Sequence, residues 1–162
     1  MLSRAEEHGL YGLTTMSIDL GAVLNAIDSR ALSVGVGNIS TPEQTLFHVS
    51  CIFFEVDLGS FAGYYNNSAG NHASAAVAAL EAIGAVQTAA IVRRANALFP
   101  GGNPSPDREE PAQQLKTVER ESAELLDSIT SEFYHRTGED IDDLMEAFAV
   151  KHQQELPVSG PE

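Results

Sequence analysis

Wherever this chain is patterned, its apolar residues recur at the 3.6-residue spacing of a helix, and no stretch of period-two alternation sustains a strand. Ile141, Leu144, Met145 and Phe148 stand at i, i+3, i+4 and i+7. Leu20, Val23, Leu24 and Ile27 repeat the same pattern near the other end. A chain of 162 residues is long enough to bury roughly 70% of its unfolded surface in one core. The expectation is an all-α fold: a single compact helical domain of about six to eight helices.

Start and stop signals divide the pattern. A helix is expected from Ser17, with Asp19 in its first turn, ending in the loop from Ser33 to Ser40. Thr41-Pro42-Glu43-Gln44 reads as a capping box, with Thr41 as cap and Pro42 at the first helical position. The helix it opens aligns Phe47, Cys51, Phe54 and Leu58 in one stripe, widened by Ile52 and Phe53 and expected to be buried. Gly59 to Gly70 predicts a short helix and a tight turn. Ala73 to Ile83 is alanine-rich helix stopped by Gly84, and Val86 to Phe99 resumes. Pro100-Gly101-Gly102-Asn103-Pro104-Ser105-Pro106 is the clearest break. Beyond it Leu115, Val118, Leu125, Leu126 and Ile129 predict a helix, Phe133-Tyr134 a separate turn or short helix, and Glu139 to Gln154 a last amphipathic helix. Residues 1–16 read as a poorly ordered N-terminal segment, 17–155 as the domain with its acidic part from Asp107, and 156–162 as a tail.

Charge narrows the functional classes. The chain holds 23 Asp and Glu against 9 Lys and Arg, a formal net charge of −14. Phosphate backbones and anionic membranes repel such a surface, which excludes direct binding to either. Residues 1–100 hold 8 acidic and 4 basic side chains, residues 101–162 hold 15 and 5, so ten of the fourteen units lie in the last third. The lone Cys51 excludes an internal disulfide, the first residues lack an apolar signal core, and no apolar run reaches the roughly 20 residues of a membrane span. The expected location is cytoplasmic.

Catalytic signals are weak. Gly35-Val36-Gly37-Asn38 is too short for a dinucleotide loop, and no Gly-Lys-Ser/Thr follows for a phosphate loop. Gly59-Ser60-Phe61-Ala62-Gly63 has the wrong centre for a nucleophile elbow. Cys51, inside an apolar stripe, reads as an inert thiol. His8, His48, His72, His135 and His152 are scattered; His135 with Glu139, Asp142 and Asp143 is the one metal-like grouping, and Gly138 interrupts it. The residues therefore point to no enzyme, no cofactor and no metal.

What remains is the acidity. Glu119, Glu121, Glu124, Asp127, Glu132, Glu139, Asp140, Asp142, Asp143 and Glu146 are opposed within their span by only Arg120 and Arg136. Five of them fall between Glu139 and Glu146, about 12 Å of helix, where a duplex carries about seven phosphates. Such a surface can offer a basic DNA-binding face much of the field that DNA offers; the plainer reading is a solvated face that maintains solubility.

The motif order adds a resemblance. The segment from Leu58 through Gly59-Ser60-Phe61-Ala62-Gly63-Tyr64-Tyr65-Asn66-Asn67-Ser68-Ala69 to Gly70 resembles the signature of the bacterial DNA-mimic protein family, the type numbered nineteen. Ala78 to Ala85, Ala95 to Pro100 and Leu126-Asp127 through Phe133-Tyr134 resemble its later segments, so the likeness runs from about Thr41 to Gln153. Leu58, Ser60, Gly63 and Asn66 depart from the signature, standing where it has Asn, a second Gly, Gln and an aromatic. Gly59 and Gly70 are expected to supply turn geometry, Phe61, Tyr64 and Tyr65 to pack, and Asn67 to cap the turn. The resemblance implies an acidic all-helical protein, often a homodimer, and a non-enzymatic mimic of double-stranded DNA that binds a DNA-binding protein such as a transcription regulator. The alternative is a helical protein-interaction module without mimicry, using the aromatic Gly59–Gly70 segment or an apolar groove.

Overall fold

A computed structural model describes residues 17–107, 109–135 and 138–157. Asp19 accepts a hydrogen bond from the Ala22 N–H at 3.0 Å, so it caps the first helix, α1 (Leu20–Val34), from outside. The next helix, α2 (Thr41–Leu58), starts one residue before the expected box. Ser40 Oγ accepts from the Glu43 N–H, and Glu43 Oε2 accepts from the Ser40 N–H at 2.8 Å. Two offset Ser/Thr-x-x-Glu/Gln registers overlap here, and the one ending in the carboxylate wins because charge strengthens the reciprocal bond. Glu43 is fully buried and also pairs with Arg30 of α1 at 3.1 Å, tying the two helices together.

Five more α-helices follow among the described residues: α3 (Phe61–Asn66), α4 (Ala73–Ala82), α5 (Val86–Asn96), α6 (Glu110–Tyr134) and α7 (Ile141–Lys151). Short 3₁₀ turns lie at Val36–Asn38, Ser68–His72 and Pro100–Gly102. The described residues hold no strand, and the fold is a single all-α domain. No helix among them is long and apolar enough to cross a membrane. α2 is the central element, meeting α1, α3, α4 and α7, while α6 covers α3 and α5. α4 and α5 form a close hairpin: Ala76, Ala79, Ala89 and Ala95 are buried, and Gly84 takes φ +90° in the connection.

Three expectations change. The stripe Phe47, Cys51, Phe54 and Leu58 is not the buried face of α2. Leu46, Val49, Ile52 and Val56 fill that role with no exposure, while Phe54 is 64% and Leu58 73% exposed. Phe133 and Tyr134 belong to α6 itself, which continues through a kink at Ser122 (φ −145°). Their anchoring explains the continuity: Phe133 is fully buried against Phe53 and Phe61, and Tyr134 donates its hydroxyl to the Val56 carbonyl at 2.6 Å. Finally, Leu156 belongs to the core rather than to a tail, and the Glu155 carbonyl accepts from the Ser40 hydroxyl. The expected N-terminal segment 1–16 and the end of the expected tail, 158–162, lie outside the described residues.

Candidate acidic binding surface

The signature segment folds into core. Phe61, Tyr64 and Tyr65 lie on one short helix, and none is more than 1% exposed. Tyr65 donates to Asn96 Oδ1 at 2.7 Å, and Asn96 Nδ2 donates to the Ala73 carbonyl at 3.1 Å, so one buried relay joins α3, α5 and the start of α4. The Tyr65 and Phe99 ring centroids are 4.4 Å apart. Burial pushes both tyrosine hydroxyls well above their ordinary range, so neither ionises near neutrality. These aromatics are not an exposed docking patch, because they hold the molecule together.

The turn residues act differently from expectation. Gly59 has no positive φ, and the conformation that favours glycine falls on Ser60 at φ +152°, ψ 177°. That is the position where the resembling signature carries its second Gly. Asn67 does not cap with its side chain; its Nδ2 donates to Glu55 Oε2 across to α2. Gly63 and Asn66, two further departures, line an open groove of about 370 Å³ between α3 and α6. For Ser60, a non-glycine residue in this backbone region costs about 1–3 kcal/mol. Its Oγ also caps α3 by accepting from the Gly63 N–H at 3.3 Å, and replacing such a cap by Gly costs only a few tenths, about 0.3 kcal/mol. Ser60→Gly is therefore expected to stabilise the fold by about 1 kcal/mol, raising Tm by about 2–4 °C in a thermal melt. An unchanged or lower Tm would contradict the strain at Ser60.

The ten acidic positions divide by role. Glu119, Glu121, Glu124, Asp127 and Glu132 are all exposed along α6. Glu119, Glu121 and Glu124 surround an open groove of about 530 Å³ at the Ser122 kink, beside Arg120, which pairs with Glu121 at 3.1 Å. Glu132 is held by both guanidinium nitrogens of Arg94 at 2.8 and 2.7 Å. That fork lowers the Glu132 pKa and raises that of Arg94, so this carboxylate is fixed and partly neutralised.

The eight-residue acidic run is not continuous helix. α7 begins at Ile141, and Asp140 is its cap, accepting from the Asp143 N–H at 3.1 Å. Glu139 turns away to a different helix: it accepts from the Gln87 and Thr88 N–H groups at 2.7 and 2.9 Å and from the Thr88 hydroxyl at 2.6 Å. It thus closes the N-terminus of α5, which has no cap of its own. Asp142 and Asp143 remain exposed in the first turn of α7, and Glu146 is half-buried.

Long-range folding adds a residue that spacing along the sequence did not offer. Asp57 of α2 joins Glu139, Asp140 and Asp142 around a groove of about 370 Å³ walled by Phe53, Tyr134 and Met145. The fold also brings His48 and His72 together, their ring centroids 5.1 Å apart and Phe47 edge-on to both. Among the described residues no three of His, Cys, Asp and Glu are grouped to hold a metal ion. His135 Nδ1 instead lies 2.7 Å from the Ser131 carbonyl of its own helix. Cys51 is half-buried rather than buried. Desolvation, with Asp28 and Glu55 nearby, pushes its thiol up to about 12, so it stays neutral and unreactive.

A family model described as DMP19-like protein matches residues 37–152, nearly the same span as the motifs read along the sequence. No curated protein and no solved structure matches the chain. With 116 of its 162 residues inside the family match, the chain belongs to the DMP19-like protein family.

Proposed function

We propose that the protein is a non-enzymatic mimic of double-stranded DNA that occupies the basic face of a DNA-binding protein, such as a transcription regulator, and competes with DNA for it. The observation that carries this reading is the concentration of exposed carboxylates around the outward side of α6. From Glu119 to Glu132, five exposed carboxylates lie along about 20 Å of helix, one about every 4–5 Å. A duplex carries about one charge per 1.7 Å, so α6 alone presents roughly a third of that density. Glu132, paired with Arg94, contributes least to this field, and Glu119, Glu124 and Asp127 carry most of it. Asp142 and Asp143 add charge at the start of α7, and family membership agrees with the reading. Carboxylates replace phosphates, and no cofactor enters.

The test is affinity capture of DNA-binding proteins on immobilised protein, followed by elution with duplex DNA. Two charge-reversed variants serve as controls: Glu124→Lys with Asp127→Lys on α6, and Asp142→Lys with Asp143→Lys on α7. These side chains are exposed, and the α7 pair loses only about 0.3–1 kcal/mol each of helix-dipole stabilisation, so folding survives. Glu139 is left intact because it caps α5. Partners captured by the unaltered protein are expected to elute with duplex DNA and to be absent from at least the α6 variant. An identical partner set on all three proteins, or partners that duplex DNA does not displace, would overturn the proposal.

A further inference from the structure

We propose that the outward face of α2, together with α1, is a docking groove for a cationic amphipathic helix of another protein. α2 carries two apolar stripes, and the core uses only one. The other runs through Cys51, Phe54 and Leu58 on the side facing away from Ile52 and Val56. Phe54, 64% exposed, gives with Cys51 and Leu24 of α1 an apolar floor to a groove of about 460 Å³, and Leu58, 73% exposed, continues the stripe one turn beyond it. Single exposed apolar residues need no explanation, but an aligned stripe beside a concavity does. From Cys51 to Leu58 the stripe extends about 10 Å, two helical turns, which suits a helix presenting apolar residues at i, i+3 or i+4, and i+7. The neutral thiol of Cys51 behaves there as a small apolar group.

Charge selects the occupant. The ionisable side chains on the groove walls are the carboxylates Asp28 and Glu55 and the Cys51 thiol; among the described residues no Lys or Arg lines it. Asp28 is exposed, makes no ion pair among the described residues, and has its pKa raised by partial burial, so its carboxylate is open to a cationic partner. A Lys or Arg beside the apolar stripe of an incoming helix supplies that compensation. A second copy of this chain would instead set these carboxylates against their equivalents, between two molecules of net charge −14. Residues 1–16 carry one basic side chain, Arg4, thirteen positions before Ser17. The groove involves neither α6 nor α7 and stands whether or not the protein mimics DNA.

The experiment titrates the isotope-labelled full-length protein with a synthetic Leu/Lys amphipathic helix of about 18 residues, long enough to form one. A Leu/Glu peptide of the same pattern is the comparison, both in about 0.15 M NaCl, where charges more than about 8 Å apart are largely screened but contacting pairs still discriminate. Expected are amide shifts concentrated at Leu24, Asp28, Cys51, Phe54 and Leu58 with the Leu/Lys peptide. Phe54→Ser with Leu58→Ser weakens binding about tenfold or more, as loss of two central apolar anchors should. Both side chains are exposed, and an unchanged melting temperature confirms that the variant folds. Equal binding of the Leu/Glu peptide overturns the proposal, as do shifts centred on α6 and α7. A dimer broken by the double variant assigns the groove to a second copy, and binding that appears only after removal of residues 1–16 assigns it to the chain itself; either result also overturns it.

Discussion

Gly70→Ala is expected to cost about 3 kcal/mol or more, at the upper end of what overpacking does to a core. Gly70 is buried where the turn after α3 folds back onto the helix. A Cβ there would lie 2.8 Å from Tyr65 Cα and 3.0 Å from the Tyr64 and Tyr65 carbonyl oxygens. All three are backbone atoms, so no rotamer change relieves the contact. Either the turn lifts away or α3 moves, and α3 carries Phe61, Tyr64 and Tyr65. Displacement of Tyr65 also strains its bond to Asn96, whose amide holds the start of α4. For a chain of this size the loss corresponds to a fall in Tm of about 10 °C. Gly59→Ala is the control: its Cβ meets the Glu55 carbonyl at 3.4 Å, an ordinary contact, and no positive φ stands in the way. A small effect there beside a large one at Gly70 is the expected pattern in a chemical denaturation series. Equal effects would show that the signature glycines serve turn geometry alone.

This contrast illustrates which features can be read from sequence. Helical periodicity locates the longer helices α1, α2, α6 and α7 because each apolar face repeats within a few residues, whereas α3 is legible only as a short helix in a glycine- and asparagine-rich segment and α4 from its alanines. Its polarity failed on α2, where Leu46-Val49-Ile52-Val56 and Phe47-Cys51-Phe54-Leu58 are both apolar stripes. Periodicity cannot choose between two such stripes; the choice is made by what packs against them. The relay from Tyr65 to Asn96 spans 31 residues and the cap from Glu139 to Thr88 spans 51, so neither leaves a local trace. Glu139 is the sharper case for the candidate site. Along the chain it is one more carboxylate in an acidic run, but its oxygens are committed to the N–H groups of α5. Asp57 is the reverse, an acid on α2 outside the acidic C-terminal part that folding delivers to the acidic groove beside Tyr134. Acidity as a whole was legible from composition; which carboxylates remain available to a partner depended on capping and pairing across the fold.

Acidification from pH 7.5 to pH 5 is expected to remove about 2 kcal/mol of stability through His48 alone. Its ring is 7% exposed on α2, packed beside Phe47 and His72, and its Nδ1 has no hydrogen-bond partner among the described residues. Burial first, and the nearby His72 second, lower its pKa from the ordinary 6.5 to about 4. The folded protein therefore keeps His48 neutral, while the unfolded chain protonates it from about pH 6.5 downward. The stabilisation is complete above pH 6.5, falls as pH drops toward 4 and changes no further below that. Integrated over the whole window, a shift of this size is worth about 3 kcal/mol at 1.36 kcal/mol per unit. His72, also lowered by burial, contributes in the same direction. An opposing effect comes from the acidic surface, whose self-repulsion eases as its carboxylates take up protons. The comparison that isolates His48 is therefore between the unaltered protein and His48→Gln, which keeps a polar side chain of similar reach without titrating. Urea unfolding at both pH values is expected to give His48→Gln a smaller loss on acidification by about 2 kcal/mol. Parallel losses in the two proteins would show that His48 is not the source of the acid sensitivity.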